Sequence, residues 1–476
     1  MISDNKPYSA MRDSGVPWLG AVPAHWEVLP NRALFAEVTA RDNIDEQMLS
    51  VTIKRGVIEQ QQLLTDSSKK DSSRQDKSAY KLVCPGDVAY NKMRAWQGAV
   101  GVSELRGIVS PAYIVMRPVG SVVPRYFHYL LRTRVFAKEA ERWSYGITSD
   151  MWSLRPEHFK LIYCCLPSNK EQAAIVRFLD HADRRIRKAI RAKQKLIVLL
   201  GGQKQAIIHR AVTRGLDPDV RLKHSGVEWF GAVPEHWEMM PLKRAFLSMD
   251  YGISESSSDT GAIPMLTMGH LKDGRVTVPP SGGVNSVDSS LLLKAGDLLF
   301  NRTNSPALVG KVGLFTGYDS PVTFASYLVR MRPHLHHEPE YLNTVLNDAL
   351  FLSAARSEAI PSLHQSNLNP TRYGRLHLVL PPQSEQRQIF QALEQETADI
   401  VGGINVAQNE ISLLREYRTR LIADVVTGKL DVREAAARLP DEGEAAEEAL
   451  DDAVLAESDE DIDASAAEVD PEDVAA

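Results

Sequence analysis

A chain of 476 residues with 43 % hydrophobic content is long enough for two or three domains with real cores. No apolar run approaches the ~18–20 residues of a bilayer span, no charged start leads into an apolar stretch, and the three cysteines (Cys84, Cys164, Cys165) have neither metal nor disulfide spacing. Together these exclude membrane and secreted classes and lead to the expectation of a cytoplasmic protein. The formal net charge of −6 averages two unlike pieces: residues 435–476 hold 16 acidic residues and one basic, whereas residues 1–434 hold 54 basic and 45 acidic, a net of +9, so the body invites a polyanion as partner.

In chain order, residues 13–27 read "DSGVPWLGAVPAHWE", too rich in Gly, Pro and Trp for a helix or an ordinary strand; the phrase predicts a shaped loop that buries Trp18 and Trp26. Short β-branched or alternating runs follow ("VAYNKM", "YIVMRP"), with a helical piece, "PRYFHYLLRTRVFAKEAER", and this mixture predicts an α/β or α+β head. After it, Leu179, Ala182, Ile186, Ala189, Leu196 and Leu200 keep a 4–3 spacing, interrupted by Lys193, which predicts a long coiled-coil helix. Then the opening phrase returns at 224–238 as "HSGVEWFGAVPEHWE", with Trp229 and Trp237; over 13–30 and 224–241, 12 of 18 residues are identical. A second head ("LLFNRT", "LHLVLP", "PEYLNTVLNDALFLSAARS") leads to a second apolar seam, Ile400, Ile404, Ala407, Ile411, Leu414, Leu421 and Val425, broken only by Arg418. The pairs Gly201-Gly202 and Gly402-Gly403 weaken the helix expectation locally. Residues 435–476, acidic and without aromatics, read as a disordered solvating tail, with competition against DNA for the basic heads as the alternative.

The repeat is continuous. "CPGDVAYNK" answers "KAGDLLFNR", "GIVSPAYIVMRP" answers "VTFASYLVRMRP", and Glu171-Gln172 and "VTRGLD" recur at Glu385-Gln386 and "VTGKLD" 214 positions on. A duplicated head-plus-helix unit therefore predicts a pseudo-twofold architecture: two similar globular heads, 1–165 and 222–380, separated by two long antiparallel coiled-coil helices, 166–221 and 381–434, before the tail at 435–476. Each helix of ~44 residues would be ~66 Å long.

The doubled "SGVxWxGxVPxHWE", the "LPxxxEQxxI" start of each long helix and the "VTxGxLD"-like exits resemble the specificity subunits of type I restriction-modification systems. The resemblance covers 13–434. It implies two target-recognition domains on helical spacers, each reading one half of a split site in double-stranded DNA, held between two modification (adenine methyltransferase) subunits, with restriction (motor-nuclease) subunits joining for cleavage. It also implies no cofactor in this chain, with S-adenosylmethionine, ATP and Mg on the partner subunits, and no membrane. The rivals are an autonomous two-headed DNA-binding protein without a methyltransferase partner, and a methyltransferase with an unrecognised site.

Motifs for chemistry are missing. "LNPTRY" lacks the second proline of an amino-methyltransferase motif, Gly310-Lys311 and Gly428-Lys429 are not phosphate loops, and "HLHHE" (334–338) has no HExxH continuation. Binding is better supported. In the first head Lys54, Arg55, Lys69, Lys70, Arg74, Lys77, Asn91, Lys92 and Arg94 fall in loops or strand ends with Tyr80 and Trp96 interleaved; in the second, Lys272, Arg275, Asn301, Arg302, Thr303 and Asn304 do likewise. Arg and Lys suit phosphates or guanine edges and Asn suits adenine; taken singly, each basic residue reads more readily as an ordinary solvated charge, and it is their collective placement that argues for binding. The stretches "YNKMRAWQG" and "FNRTNSPALVG" hold equivalent places in the repeat with different side chains, as two readers of different half-sites require.

Overall fold

The computed structural model describes residues 6–65, 76–120, 122–146, 152–227, 229–362 and 365–440. The chain divides into two units, one of residues 1–194 with 408–476 and the other of residues 195–407. Each is mixed α and β, and each unites a head with the first part of one long helix and the last part of the other.

In the first unit an antiparallel sheet runs in the order Phe35–Val38, Tyr113–Pro118, Val88–Asn91, Val100–Val102. The helices Pro124–Leu131 and Arg134–Arg142 cover it; Pro124 opens the first, and the Thr133 side chain caps the second by accepting from Phe136 N. Strand Tyr163–Leu166 pairs with Glu27–Pro30 and so returns the chain to its starting point. The second unit repeats this plan: Phe246–Tyr251, Leu328–Pro333, Leu298–Asn301 and Val312–Leu314 take the same order, and Arg275–Val276 and Leu271–Lys272 extend the sheet. Asp348 caps helix Ala349–Ser357, and His377–Leu380 pairs with Glu238–Pro241.

The doubled phrase is more ordered than a loop. Ala21–Pro23 pairs with Met11–Asp13, Ala232–Pro234 pairs with Leu222–His224, and each phrase runs on into a second strand. These strands are only three or four residues long, below the length at which a hydrophobic period shows in sequence. Trp26 and Trp237 are 1 % exposed, as expected; Trp18 and Trp229 are half-buried and meet Phe136 and Phe351 edge-on, with ring centroids 5.8 and 5.3 Å apart.

The long helices are Asn169–Arg214 and Gln383–Val426, 46 and 44 residues, continuous through both glycine pairs. They run antiparallel in each unit. The polar interruptions of the seams are answered across it: Lys193 Nζ lies 2.7 Å from Glu410, and Arg418 donates to Asp183, which is 4 % exposed. In the other unit Arg210 reaches Glu396 at 3.1 Å, and a Cβ on Gly403 would meet the end of the Leu200 side chain at 3.3 Å, so a side chain there requires Leu200 to shift slightly. No helix among the described residues is long and apolar enough to cross a membrane.

Candidate nucleic-acid interface

Two repeated motifs build the frame that carries the basic loops. The first joins the phrase to the helices. Glu171, 5 % exposed, accepts from Tyr8 Oη at 2.7 Å and lies 3.0 Å from His25 Nε2; in the second unit Glu385 lies 2.8 Å from His236 Nε2 and accepts from Trp237 Nε1 at 3.0 Å. The neighbouring glutamines repeat each other: Gln172 accepts from Val123 N and donates to Pro167 O, and Gln386 accepts from Glu338 N and donates to Pro381 O. The far helix ends on the same tryptophans. A Cβ on Gly428 (φ +77°) would run into Pro23 and Trp26, and one on Gly215 (φ +73°) would meet Trp237 at 3.3 Å. Each head is thus held by the start of one long helix and the end of the other, and the phrase is doubled because that junction occurs twice.

The second motif is the Gly-Asp turn. Asp87, 2 % exposed, accepts from Cys84 N and from both Arg117 Nε and Nη2, each at 2.9 Å; Asp297, 1 % exposed, accepts from Lys294 N at 2.8 Å and from Arg332 Nε and Nη2 at 2.7 Å. Hydrogen bonding to these carboxylates raises both guanidinium pKa values above their ordinary range. The turns fold because Gly86 and Gly296 take φ of +90° and +91°, open to glycine at no steric cost. These latches aim strands Val88–Asn91 and Leu298–Asn301 at the same end of each sheet, where the two candidate stretches begin.

There the heads diverge. In the first, Asn91 Oδ1 accepts from Met93 N at 3.0 Å and turns the chain into a short 3-10 segment, Ala95–Gln97; Lys92 and Arg94 are half-buried beside it. Lys81, 7 % exposed, donates to Tyr113 O at 2.7 Å; burial lowers its pKa, and Arg41 and Lys92 push the same way against Glu37. Trp96 donates to Met93 O and meets Trp152 edge-on, whereas Tyr80, 4 % exposed, belongs to the core. Lys54 and Arg55 sit exposed in the turn between strands Leu49–Thr52 and Gly56–Glu59, and Lys77 is half-buried in a loop. Lys69, Lys70 and Arg74 lie outside the described residues.

In the second head Lys272 and Arg275 face each other, exposed, across an Asp-Gly hairpin turn in which Asp273 and Gly274 take φ of +50° and +74°. Asn301 is 2 % exposed, with its amide oxygen buried, so it is not displayed at the surface. Arg302 lies over the Tyr251 ring at 5.1 Å and donates to Ser326 O at 3.1 Å. Thr303–Asn304 forms a strand against Gln365–Asn367, and Asn367 donates to Thr303 Oγ1 at 3.3 Å. Tyr251 is a residue that sequence reading misses, because its half-exposed place beside Arg302 comes from a pairing 51 positions apart.

The residues that imitate catalytic motifs have structural partners. Asn369 caps helix Pro370–Tyr373 by accepting from Thr371 N at 2.7 Å. His334 and His336 stack, His337 is buried against Gln386, and no group of three potential metal ligands occurs among the described residues.

Fold and junctions define a class: duplicated α+β heads mounted on long paired helices. The homologues of this chain are specificity subunits of type I restriction enzymes. One, from Methanocaldococcus jannaschii and named as the MjaX specificity subunit, is 26 % identical over 203 residues, 41 % of this chain and 47 % of that protein; the alignment spans about half the length of that relative. The StySPI specificity subunit of Salmonella potsdam is 21 % identical over 321 residues, covering 66 % of this chain and 67 % of the relative. A chain solved in work on the complex assembly and conformational transition of the type I R-M system shares the fold, with a TM-score of 0.61 and 16 % identity, over 86 % of this chain and 99 % of the other. No family model matches the chain.

Proposed function

We propose that this chain is the noncatalytic, sequence-specific DNA-binding specificity subunit of a type I restriction-modification complex. Residues 1–165 and 222–380 act as two target-recognition domains, each reading one half of a bipartite site in double-stranded DNA. The helical spacers 166–221 and 381–434 set the spacing and dock two modification subunits, with restriction subunits joining the assembly. The observation that carries this reading is one head built twice on one frame, with different basic and polar side chains delivered to the same sheet end. Support for docking comes from apolar side chains exposed on the helices: Leu199 is 62 % exposed in one unit and Leu413 64 % in the other. S-adenosylmethionine, ATP and Mg belong to the partner subunits in this scheme.

The test is to express the chain with its methyltransferase partner and map modified adenines in the genome. A split motif with one modified adenine in each half supports the reading, and exchange of residues 31–150 for a sibling protein's equivalent is expected to change one half only. A chain that purifies alone, binds DNA and directs no methylation supports instead an autonomous two-headed DNA-binding protein.

A further inference from the structure

The turn that carries Lys54 and Arg55 is held by a residue distant in sequence. Arg132 follows helix Pro124–Leu131, where the partial negative charge of the helix end favours a cation. Its guanidinium fans across two strands: Nη2 donates to Ile53 O at 2.9 Å and Lys54 O at 2.6 Å, and Nη1 donates to Val100 O at 2.7 Å and reaches Thr52 O at 3.5 Å. Two glycines make room for this. A Cβ on Gly56 (φ +76°) would meet Arg132 Nη1 at 3.1 Å and His128 at 3.2 Å, and a Cβ on Gly101 would meet the Gly56 backbone at 3.2 Å. The planar fork thus bridges the turn to strand Val100–Val102, a geometry that a single ammonium cannot reproduce.

We infer that Arg132 is a positioning residue for DNA binding, fixing the 53–55 turn so that Lys54 and Arg55 are presented together to duplex phosphates. This rests on the DNA-binding reading above.

The experiment measures binding of the full chain to a duplex of unrelated sequence across a salt series, alongside limited trypsin digestion without DNA. Each phosphate contact contributes about 0.9 to the slope of log K against log salt. The K54A/R55A double variant is expected to lose about 2 from that slope. R132Q is expected to lose at least half as much, and R132K, which keeps the charge, to behave like R132Q. The triple variant R132Q/K54A/R55A is expected to match K54A/R55A, because Arg132 acts through the turn; a role in general folding of the head predicts a further loss instead. Trypsin is expected to cleave R132Q and R132K after Lys54 or Arg55 faster than the unsubstituted chain, since the Lys54 carbonyl is released.

An unchanged slope and unchanged cleavage in R132Q overturn the inference. So does full retention of the slope by R132K, or a triple variant that loses more than the double. If K54A/R55A keeps the original slope while the unsubstituted chain binds, the turn is not a DNA contact and only this inference falls. If the unsubstituted chain does not bind duplex DNA in any salt, the functional reading falls and takes the inference with it.

Discussion

The buried Arg–Asp pairs show how a repeated dipeptide in the sequence becomes a strut. Removing the arginine leaves Asp87 or Asp297 desolvated with a backbone N–H still bonded but no counter-charge, and breaking a buried pair in this way costs several kcal/mol. Arg332 is 25 % exposed and Arg117 47 %, so water relieves Asp87 more readily. We expect R332A to destabilise its head by about 3 kcal/mol and R117A by about 2, read from urea unfolding midpoints; equal and negligible shifts would show that the latches are ornamental. His128 supplies a pH dependence. Burial, aided by Arg132 and Arg125, pushes its imidazole down to about 3, against about 6.5 in the unfolded chain. The unfolded state therefore binds the proton first: the neutral side chain's contribution is complete above pH ~6.5 and is lost as pH falls toward ~3. Stability of the unsubstituted chain should fall more steeply than that of H128Q between pH 6.5 and 4, by up to about 1.4 kcal/mol per pH unit, in unfolding measured at each pH.

At the scale of elements, the long helices persist where propensity argues against them. A glycine in a helix interior costs about 1 kcal/mol relative to alanine, yet both pairs are helical because cross-helix contacts outweigh that cost. The four glycines are not equivalent. A Cβ on Gly201, Gly202 or Gly402 meets nothing within 4 Å, whereas one on Gly403 meets Leu200 at 3.3 Å. Alanine at each of the first three positions is expected to stabilise by about 0.5–1 kcal/mol and raise the melting temperature; G403A should gain less. A loss from G402A comparable to any from G403A would contradict the packing described. The helix exits make the same point, since "VTRGLD" and "VTGKLD" place their glycine one position apart and both glycines still reach the left-handed conformation beside a tryptophan.

For the whole molecule, the proposed function makes helix length a ruler. Four residues added between Gln203 and Ile208 lengthen a helix by ~6 Å and turn it ~40° past a full turn. On DNA that is one to two base pairs at ~3.4 Å each, with ~35° of rotation per pair. Methylation mapping of an active complex carrying this insertion should show a site lengthened by one, and at most two, unspecified pairs, with both half-site sequences kept. An unchanged gap would remove the ruler, and altered half-sites would remove the separation of heads from spacers.

The sequence by itself determined the duplication, the α+β heads, the paired helices and the resemblance to specificity subunits, because these rest on period, punctuation and repetition, which are local or self-similar properties. It also marked where the two candidate stretches begin, since Gly-Asp turns open the strands that run into them. Only the tertiary structure decided which of those side chains are displayed. Asn301 sits one residue before Arg302 in sequence, yet it is buried while Arg302 lies on Tyr251, because burial within a sheet depends on the strands laid alongside. The partners of Glu171, Asp87 and Arg132 lie 146, 30 and 78 positions away, among others, and nothing in a linear pattern records such a hydrogen bond. The heads are legible in sequence because apolar patterning builds them; their contact residues are less so, because side-chain geometry is set by long-range pairing.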